Sequence, residues 1–499
     1  MKNIARFCCL LLSLVLVMML IPALGESGDV VTYTGFGIYK DDDHHTMEDS
    51  LAFRDTLEKY GIRFDVDYYS STVAAEKRSL LLSSGDYPDI IFCGTDIEWY
   101  GAQEGILLPL EDLIEDYAPN MKAYIDSQNS WDYLTCTDGH VYGIPTYSAE
   151  YARDGVLWVN KVWLENLDLD MPQSLEELHD VLAAFKEYDA NGNGDADDEI
   201  PLLCYEVGNG ANYIELFNYC EWMFNYEFRT VVDEDGTCHM LPLTEEFKDL
   251  IEYTTALYQE GLLNDDCFTM TQESAAALVT TTDTVGMFIA GSPIGICGRD
   301  KALDWAVVEP WCNSVEVSNA CYREGMCITD HCKNPERFIE WLDYFFTEEG
   351  SILSRMGVRG ETYEIDENGN YYWLTSDEQD LSYISNVLCY KGPTYMTDFE
   401  LFHDAGSDAV QSYVDQQRRL AASHAGLKMF ELPFTNDQLT VGLPIMIDMN
   451  TAFPQYMAKV MTGEYDLEGS WGDFQQQLQD MQVPVLEEII QDCYNRMEK

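Results

Sequence analysis

The chain is 499 residues long, 46% hydrophobic, and carries 10 Trp, 32 Tyr and 21 Phe; this excludes a generally disordered protein and leaves room for two or three domains with their own cores. Its 28 basic residues stand against 89 acidic ones, a formal net charge of −61. Such a field repels phosphate backbones and anionic surfaces, so nucleic acid is not an expected partner.

The amino terminus reads as a secretory leader, residues 1–25: Lys2 and Arg6, an apolar run from Phe7 to Leu24, then Ala23-Leu24-Gly25 ahead of Glu26. Cleavage there predicts an extracytoplasmic protein. The competing reading is an uncleaved anchor, because the run is nearly long enough to span a bilayer. Two of the fifteen cysteines, Cys8 and Cys9, leave with the leader, so an odd number remains and at least one thiol is free. Their irregular spacing, with no CxxC, argues against zinc and against a disulfide framework. Cys321, Cys327 and Cys332 read as strand and loop packing.

Residues 30–92 alternate strand and helix. Val30 to Tyr39 is strand-like, Asp49 to Tyr60 helical, Phe64, Val66 and Tyr68 a half-buried strand, Val73 to Leu82 helical, and Asp89 to Cys93 a buried strand. A β-α-β-α-β start implies a mostly parallel, three-layer α/β unit. Ligands of such sheets sit at the carboxyl ends of the strands, so the segment Gly94 to Tyr100 is a natural contact loop. A second regime opens near Tyr147. Val156 to Val159 is a short strand, and Ser174 with Glu177 forms a capping box on a helix whose apolar face is Leu175, Leu178, Leu182 and Phe185.

That helix runs into DANGNGDADDEIP, residues 189–201, which sets oxygen-bearing side chains at Asp189, Asn191, Asn193, Asp195 and Asp197 around Gly192 and Gly194. Calcium takes six to eight oxygens at about 2.3–2.6 Å, and alternate spacing around a glycine turn brings them to one point. A solvated Asp/Asn turn is the competing reading. An EF-hand loop fails at its last ligand: with Asp189 as the first position, the twelfth is Ile200, so Asp197, Asp198 or Glu199 must close the site.

Further on, Asn334-Pro335 starts a helix with buried stripe Phe338, Trp341, Leu342 and Phe345. Phe474, Leu478 and Met481 mark a helix ended by Pro484, and Leu486, Ile489 and Cys493 mark the next. The acidic turns at 233–236 and 366–369 lie between alternating apolar residues and read as hairpin turns. His44-His45 reads as a surface patch, and neither HExxH nor GxSxG occurs.

Taken in order, LLLSSGDYPDIIF (80–92), GILLPLEDLIEDYAPN (105–120), DGHVYGIPTY (138–147), VLWVNKVWLENL (156–167), GMFIAGSP (286–293), CKNPERFIEWLDYFFTEEG (332–350), GVRGETYEIDENG (357–369) and MTGEYDLEGSW (461–471) resemble the family 1 extracellular solute-binding proteins of ABC importers, the larger type that delivers oligosaccharides. The resemblance implies a two-lobed periplasmic-binding-protein-like (type II) fold. Each lobe would be a mostly parallel sheet flanked by helices, with the ligand cleft between them: lobe 1 from residues 27–147 plus 318–392, lobe 2 from 148–317 plus 393–499. It further implies a monomer without enzymatic activity that closes about a hinge on a carbohydrate and hands it to a membrane permease. Structural calcium would be held by Asp189, Asn191, Asn193, the Asp195 carbonyl and the acidic cluster Asp197, Asp198 and Glu199, in a loop one residue longer than usual for that family. Relatives from Gram-positive organisms usually begin the mature chain with a lipid-bearing cysteine; Glu26 stands there instead.

A sugar presents apolar C–H faces and polar edges, so its site wants aromatic platforms beside hydrogen-bonding groups. The candidates are Thr95, Asp96 and Trp99 after the third strand, Tyr147 near the crossover, Tyr205 beyond the acidic loop, Trp222, and Arg359, where that family often has an acid. Two rivals stand beside this reading: the same fold carrying a peptide or an amine-bearing solute, and a secreted glycoside hydrolase, which needs two carboxylates about 5–10 Å apart.

Overall fold

The structure is a computed structural model that describes residues 30–39, 51–92, 94–147, 155–207, 210–217, 229–233, 235–311, 321–367, 371–374 and 434–497, with isolated positions between 412 and 432. The leader, His44-His45 and Trp222 lie outside the described residues. In chain order the chain forms β1 (Val31–Tyr39), α1 (Leu51–Tyr60), β2 (Ile62–Ser70), α2 (Ser71–Ser84), β3 (Ile90–Ile91), β4 (Gly143–Tyr147), β5 (Val156–Asn160), α3 (Leu175–Glu187), β6 (Ile200–Leu203), β7 (Val285–Ala290), β8 (Trp305–Val307), β9 (Cys321–Ile328), α4 (Pro335–Tyr344), α5 (Glu348–Met356), α6 (Asn436–Met461), α7 (Leu467–Asp480) and α8 (Val483–Met497), among shorter pieces. The chain divides into two compact units. One takes Met1–Tyr147 with Tyr322–Tyr363 and Thr375–Thr397, the other Ser148–Cys321 with Glu364–Leu374 and Asp398–Lys499.

In the first unit the sheet order is β2-β1-β3-β9-β4. The long strands pair in parallel from Val31↔Ile62 to Tyr39↔Ser70, and β3 joins on the other side at Gly35↔Ile90. β9 runs antiparallel to β3, Cys327 opposite Ile91. β3 is shorter than its apolar run suggests: the Asp89 carboxylate accepts from the Thr34 amide and hydroxyl, each at 2.8 Å, and this side-chain clasp stands where ladder bonds would continue. α4 starts with Pro335 in its first turn, where the missing N–H has no partner to lose, and Asn334 makes no side-chain cap. Its stripe Phe338, Trp341, Leu342 and Phe345 is fully buried. Phe338 meets Tyr33 edge-on with centroids 5.5 Å apart, Trp341 meets Phe64 at 5.4 Å, and the Trp341 indole N–H donates to the Thr56 hydroxyl at 3.1 Å. Burying side chains of this size stabilises by roughly 1.5–3 kcal/mol each, which is why the 3.6-residue stripe dictates the docking face.

In the second unit the order is β8-β5-β7-β6. Only β6 and β7 are parallel, Ile200↔Val285; β5 is antiparallel to both β7 and β8. A mostly parallel sheet is therefore right for the long strands of the first unit and wrong for the second, which is mixed. The cause is the chain's route. After leaving the first unit at Tyr147, the chain enters the second sheet through β5, whose first residue, Val156, faces the last residue of β7, Ala290. On its return it enters the first sheet through β9, again at the carboxyl end of the neighbouring strand. A strand that begins at the carboxyl edge has to run against its neighbour.

Ser174 caps α3 by accepting from the Glu177 amide at 3.1 Å, but Glu177 reaches the Gln173 amide at 2.8 Å, one residue earlier than a reciprocal capping box requires. Leu178, Leu182 and Phe185 are buried as the sequence pattern demands, with Phe185 edge-on to Trp163 at 5.1 Å. Phe247, Met449, Phe453, Leu478, Leu486 and Cys493 continue this core, so the carboxyl-terminal helices belong to the second unit. Pro484 starts α8 as well as interrupting the helical run: α7 ends at Asp480, and the proline stands in the next helix's first turn. The acidic turn at 233–236 joins the antiparallel strands Thr230–Val232 and Cys238–Met240.

Candidate functional site at the carboxyl edge of the first sheet

β3 ends at Ile91, and the chain turns through Gly94, whose φ of +62° is in the left-handed region; a Cβ there would lie 2.5 Å from the Glu324 carbonyl of β9. Glycine thus lets the turn pass against the neighbouring strand. Thr95 follows, 2% exposed, with a buried hydroxyl that has no hydrogen-bond partner. Asp96 is exposed, and its carboxylate accepts from the Trp99 amide at 2.8 Å, closing the entry to a π-helical turn, Glu98–Gln103. Such a turn is rare and frequent at functional sites. It leaves Trp99 39% exposed.

Glu98 lies beneath this rim. Its carboxylate accepts from the Thr137 amide at 3.2 Å and hydroxyl at 2.8 Å, and sits 3.6 Å from the guanidinium of Arg323 on β9. The Arg323 guanidinium also lies 5.8 Å from the centroid of the Tyr133 ring. Beside it, burial pushes the Cys136 thiol well up, with Glu98 adding to the shift, so this cysteine is a neutral packing group. All described cysteines are free and buried.

Thr95, Asp96 and Trp99 are therefore brought together, and the remaining described candidates, Tyr147, Tyr205 and Arg359, are not. Tyr147 is buried, edge-on to Tyr124 at 4.7 Å and close to Phe346. Tyr205 stands at the carboxyl end of β6 but is turned into the core, its hydroxyl donating to the Ile289 carbonyl at 2.9 Å. Neither offers a ring face to solvent. Arg359 is exposed on the rim of a cavity of about 910 Å³ lined by Thr56, Lys59, Tyr344, Leu353 and Tyr363. Thr56 and Lys59 belong to the last turns of α1, next to Gly61, whose carbonyl takes the Val31 amide at 2.9 Å. That is the amino edge of the sheet, most of a nine-residue strand, on the order of 20–30 Å, from the Thr95 turn. Sequence reasoning did not single out Glu98 or Arg323; a paired charge inside the strand CYREGMCI was the available signal.

The acidic loop connects α3 to the amino end of β6. Successive side chains fold back on it: Asn191 accepts from the Asn193 amide at 2.8 Å, Asn193 from Asp195 at 2.7 Å, Asp195 from Asp197 at 3.2 Å, and Asp189 from Gly194 at 2.9 Å. The Asp198 carboxylate takes both asparagine amides, at 3.0 and 2.8 Å. Glu199 is 3% exposed; one oxygen accepts from the Ala190 amide at 3.0 Å, and burial, the largest effect, raises its pKa. Two buried carboxylate oxygens, Oδ1 of Asp189 and Oε2 of Glu199, have no partner. Among the described residues no group of three or more His, Cys, Asp or Glu converges as a metal set. Orphaned carboxylate oxygens of this kind fit a hard cation.

Residues 49–352 match the family described as bacterial extracellular solute-binding protein. The chain belongs to that family. It is 29% identical over 331 residues to the fructooligosaccharide ABC transporter substrate-binding protein FusA of Streptococcus pneumoniae serotype 4, covering 62% of this chain and 61% of FusA, less than two thirds of that relative's length. Among solved structures, FusA in complex with kestose superposes with a TM-score of 0.75 at 22% identity, covering 94% of this chain and 99% of FusA. An EF-hand mutant of FusA with fructo-nystose gives the same values. A solute-binding protein described as binding HMO, from Bifidobacterium longum infantis, reaches 0.78 at 18% identity, again over 94% and 99%. At these identities the superpositions show the fold: a two-lobed solute-binding protein of type II. Among the described residues no helix is long and apolar enough to cross a membrane.

Proposed function

We propose that this chain is the extracytoplasmic receptor of an ABC importer, that it captures a carbohydrate, specifically an oligosaccharide, without altering it, and that it delivers the sugar to a membrane permease. The observation that carries this reading is the pair Asp96 and Trp99 at the carboxyl edge, set on the turn that Thr95 anchors, in a chain of this family: an exposed indole beside an exposed carboxylate is what a sugar ring requires. The fructooligosaccharide receptor among its relatives supports the same cargo. Ligand contacts that are stronger in one conformation than another shift the population toward it, and a permease that reads that conformation needs no covalent step.

We further propose that the loop from Asp189 to Glu199 holds calcium through Asp189, Asn191, Asn193, Asp198 and Glu199, with the Asp195 carbonyl; Asp197 is exposed and outside this set. Rotation of either asparagine amide exchanges its N–H for an oxygen facing the ion. The loop precedes β6 while ligand edges follow their strands, so the ion would fix the second unit without touching ligand. A leader ending at Gly25 and a mature chain from Glu26 belong to the same proposal. The test is a thermal-shift and calorimetric screen of oligosaccharides and peptides. Saturable binding of a saccharide with no hydrolysis product supports the receptor; glycosidic cleavage at measurable turnover would replace it with an enzyme, and binding of peptides alone with a peptide carrier.

A further inference from the structure

Resting on the sugar reading above, we propose that Glu98 is a specificity-determining residue: by holding Arg323 as a neutralised pair beside Thr95, Asp96 and Trp99, it makes this edge accept uncharged sugar rings and reject sugars that carry carboxylates. A uronate is recognised when a guanidinium presents its fork to the carboxylate. Among the described residues, two guanidiniums reach this edge, and both are engaged. Arg78 donates to the Gly94 carbonyl, and Arg323 pairs with Glu98 at 3.6 Å with side chains only 11% and 15% exposed. Glu98 does not swing aside freely, because the Thr137 amide and hydroxyl both hold it. The rim adds the exposed Asp96, so among the described residues an incoming carboxylate meets repulsion and two guanidiniums that are already engaged. A hydroxyl edge meets a different surface: the exposed Trp99 ring for its C–H face and the exposed Asp96 carboxylate as acceptor for its polar rim.

The pair itself makes the selectivity switchable. Glu98→Gln keeps an oxygen for the Thr137 amide and hydroxyl while removing the charge that occupies Arg323. The test is isothermal titration of the mature protein and its variants with neutral oligosaccharides (fructo-, malto- and galacto-series) and with oligogalacturonates, at low and high salt. The wild type is expected to bind a neutral series and to show no heat with oligogalacturonates. Glu98→Gln is expected to gain oligogalacturonate affinity by at least about tenfold, the size of one charge-assisted contact, and to lose the gain in high salt. Adding Arg323→Gln to Glu98→Gln is expected to abolish the gain, which separates a freed guanidinium from a loosened loop; unchanged circular dichroism and melting confirm that each variant folds. Oligogalacturonate binding by the wild type, or a Glu98→Gln variant with no gain, overturns the proposal while leaving the sugar receptor intact. A folded protein that binds no saccharide of either series overturns both.

Discussion

Withdrawing calcium is expected to destabilise the second unit and leave ligand affinity unchanged. The size follows from two observations. Asp189 and Glu199 each bury one carboxylate oxygen without a partner, and an unsatisfied buried polar atom costs about 1–3 kcal/mol, more when charged. An ion that binds only the folded loop stabilises by mass action: at free calcium one hundred times the dissociation constant the gain is about 2.7 kcal/mol. The second unit has about 290 residues, and at an unfolding entropy of about 2.1 cal/mol/K per residue 1 kcal/mol moves its Tm by just under 2 °C, so the fall on adding chelator is about 4–5 °C. Differential scanning calorimetry in millimolar calcium and in excess EGTA measures it, with the best saccharide titrated under both conditions. Glu199→Gln removes a charged ligand and is expected to lose the calcium response while binding sugar normally. Coincident melting curves in calcium and chelator refute the metal assignment. A parallel collapse of sugar affinity refutes the separation of the loop from the ligand edge.

Three other outcomes follow from the same geometry. Trp99→Ala is expected to weaken sugar binding by at least about tenfold with little change in Tm, since an exposed ring contributes to a ligand platform far more than to the core. Tyr205→Phe is expected to do the reverse: it removes one of two side-chain hydrogen bonds to the Ile289 carbonyl, which keeps the Asn212 amide at 2.8 Å, and lowers unfolding free energy by about 0.5–1.5 kcal/mol in urea titrations while leaving affinity in place. His140 hydrogen-bonds Glu111, and this contact raises the histidine pKa above its ordinary value near 6.5. A raised histidine pKa adds stability that is complete below the unfolded value and fades as pH rises through the folded one; NMR titration is expected to show a midpoint above 6.5 that Glu111→Gln returns to normal.

Much of the fold was legible because periodicity reports burial directly. The α4 stripe, the α3 face and the α/β alternation of residues 30–92 all place apolar groups where packing uses them, and the loop spacing at 189–199 reports oxygen geometry in the same way. Of the candidate ligand residues, those the structure brings together are also chain neighbours: Thr95, Asp96 and Trp99 share one turn. Tyr147 and Tyr205 show the limit. A tyrosine on a sugar and a tyrosine capping a buried carbonyl have the same amphipathic composition, and only the position of the hydroxyl's partner separates them. Arg359 is placed differently: its flanking glycines resemble a ligand loop, and topology carries them to the amino edge of the sheet, away from Thr95, Asp96 and Trp99. Glu98 and Arg323 stand far apart in sequence, and no local pattern predicts that β9 sets one against the other.

The two sheets share a polarity that assigns different work to their two edges. The first two crossings of the chain lead into strands, β5 and β9, that begin at the carboxyl end of their neighbours, and in the first unit Gly94, Thr95 and Trp99 fall on that same carboxyl side. The acidic loop enters β6 from the amino side, and the Arg359 cavity lies on the amino side of the first sheet. The first two passages between the units are at Tyr147–Ser148 and Cys321–Tyr322; a third, Tyr363–Glu364, borders the Arg359 cavity. Arg323 is the second residue after the second passage, and its ion pair with Glu98 ties that returning strand to the turn that carries Trp99. On the proposed assignments, a ligand seated on Trp99 would act on a turn tied to β9 through Glu98 and Arg323, whereas an ion in the acidic loop would act on the amino end of β6 in the other unit. Sugar affinity and calcium-dependent stability would then vary independently, which is what titrating the saccharide in calcium and in chelator measures.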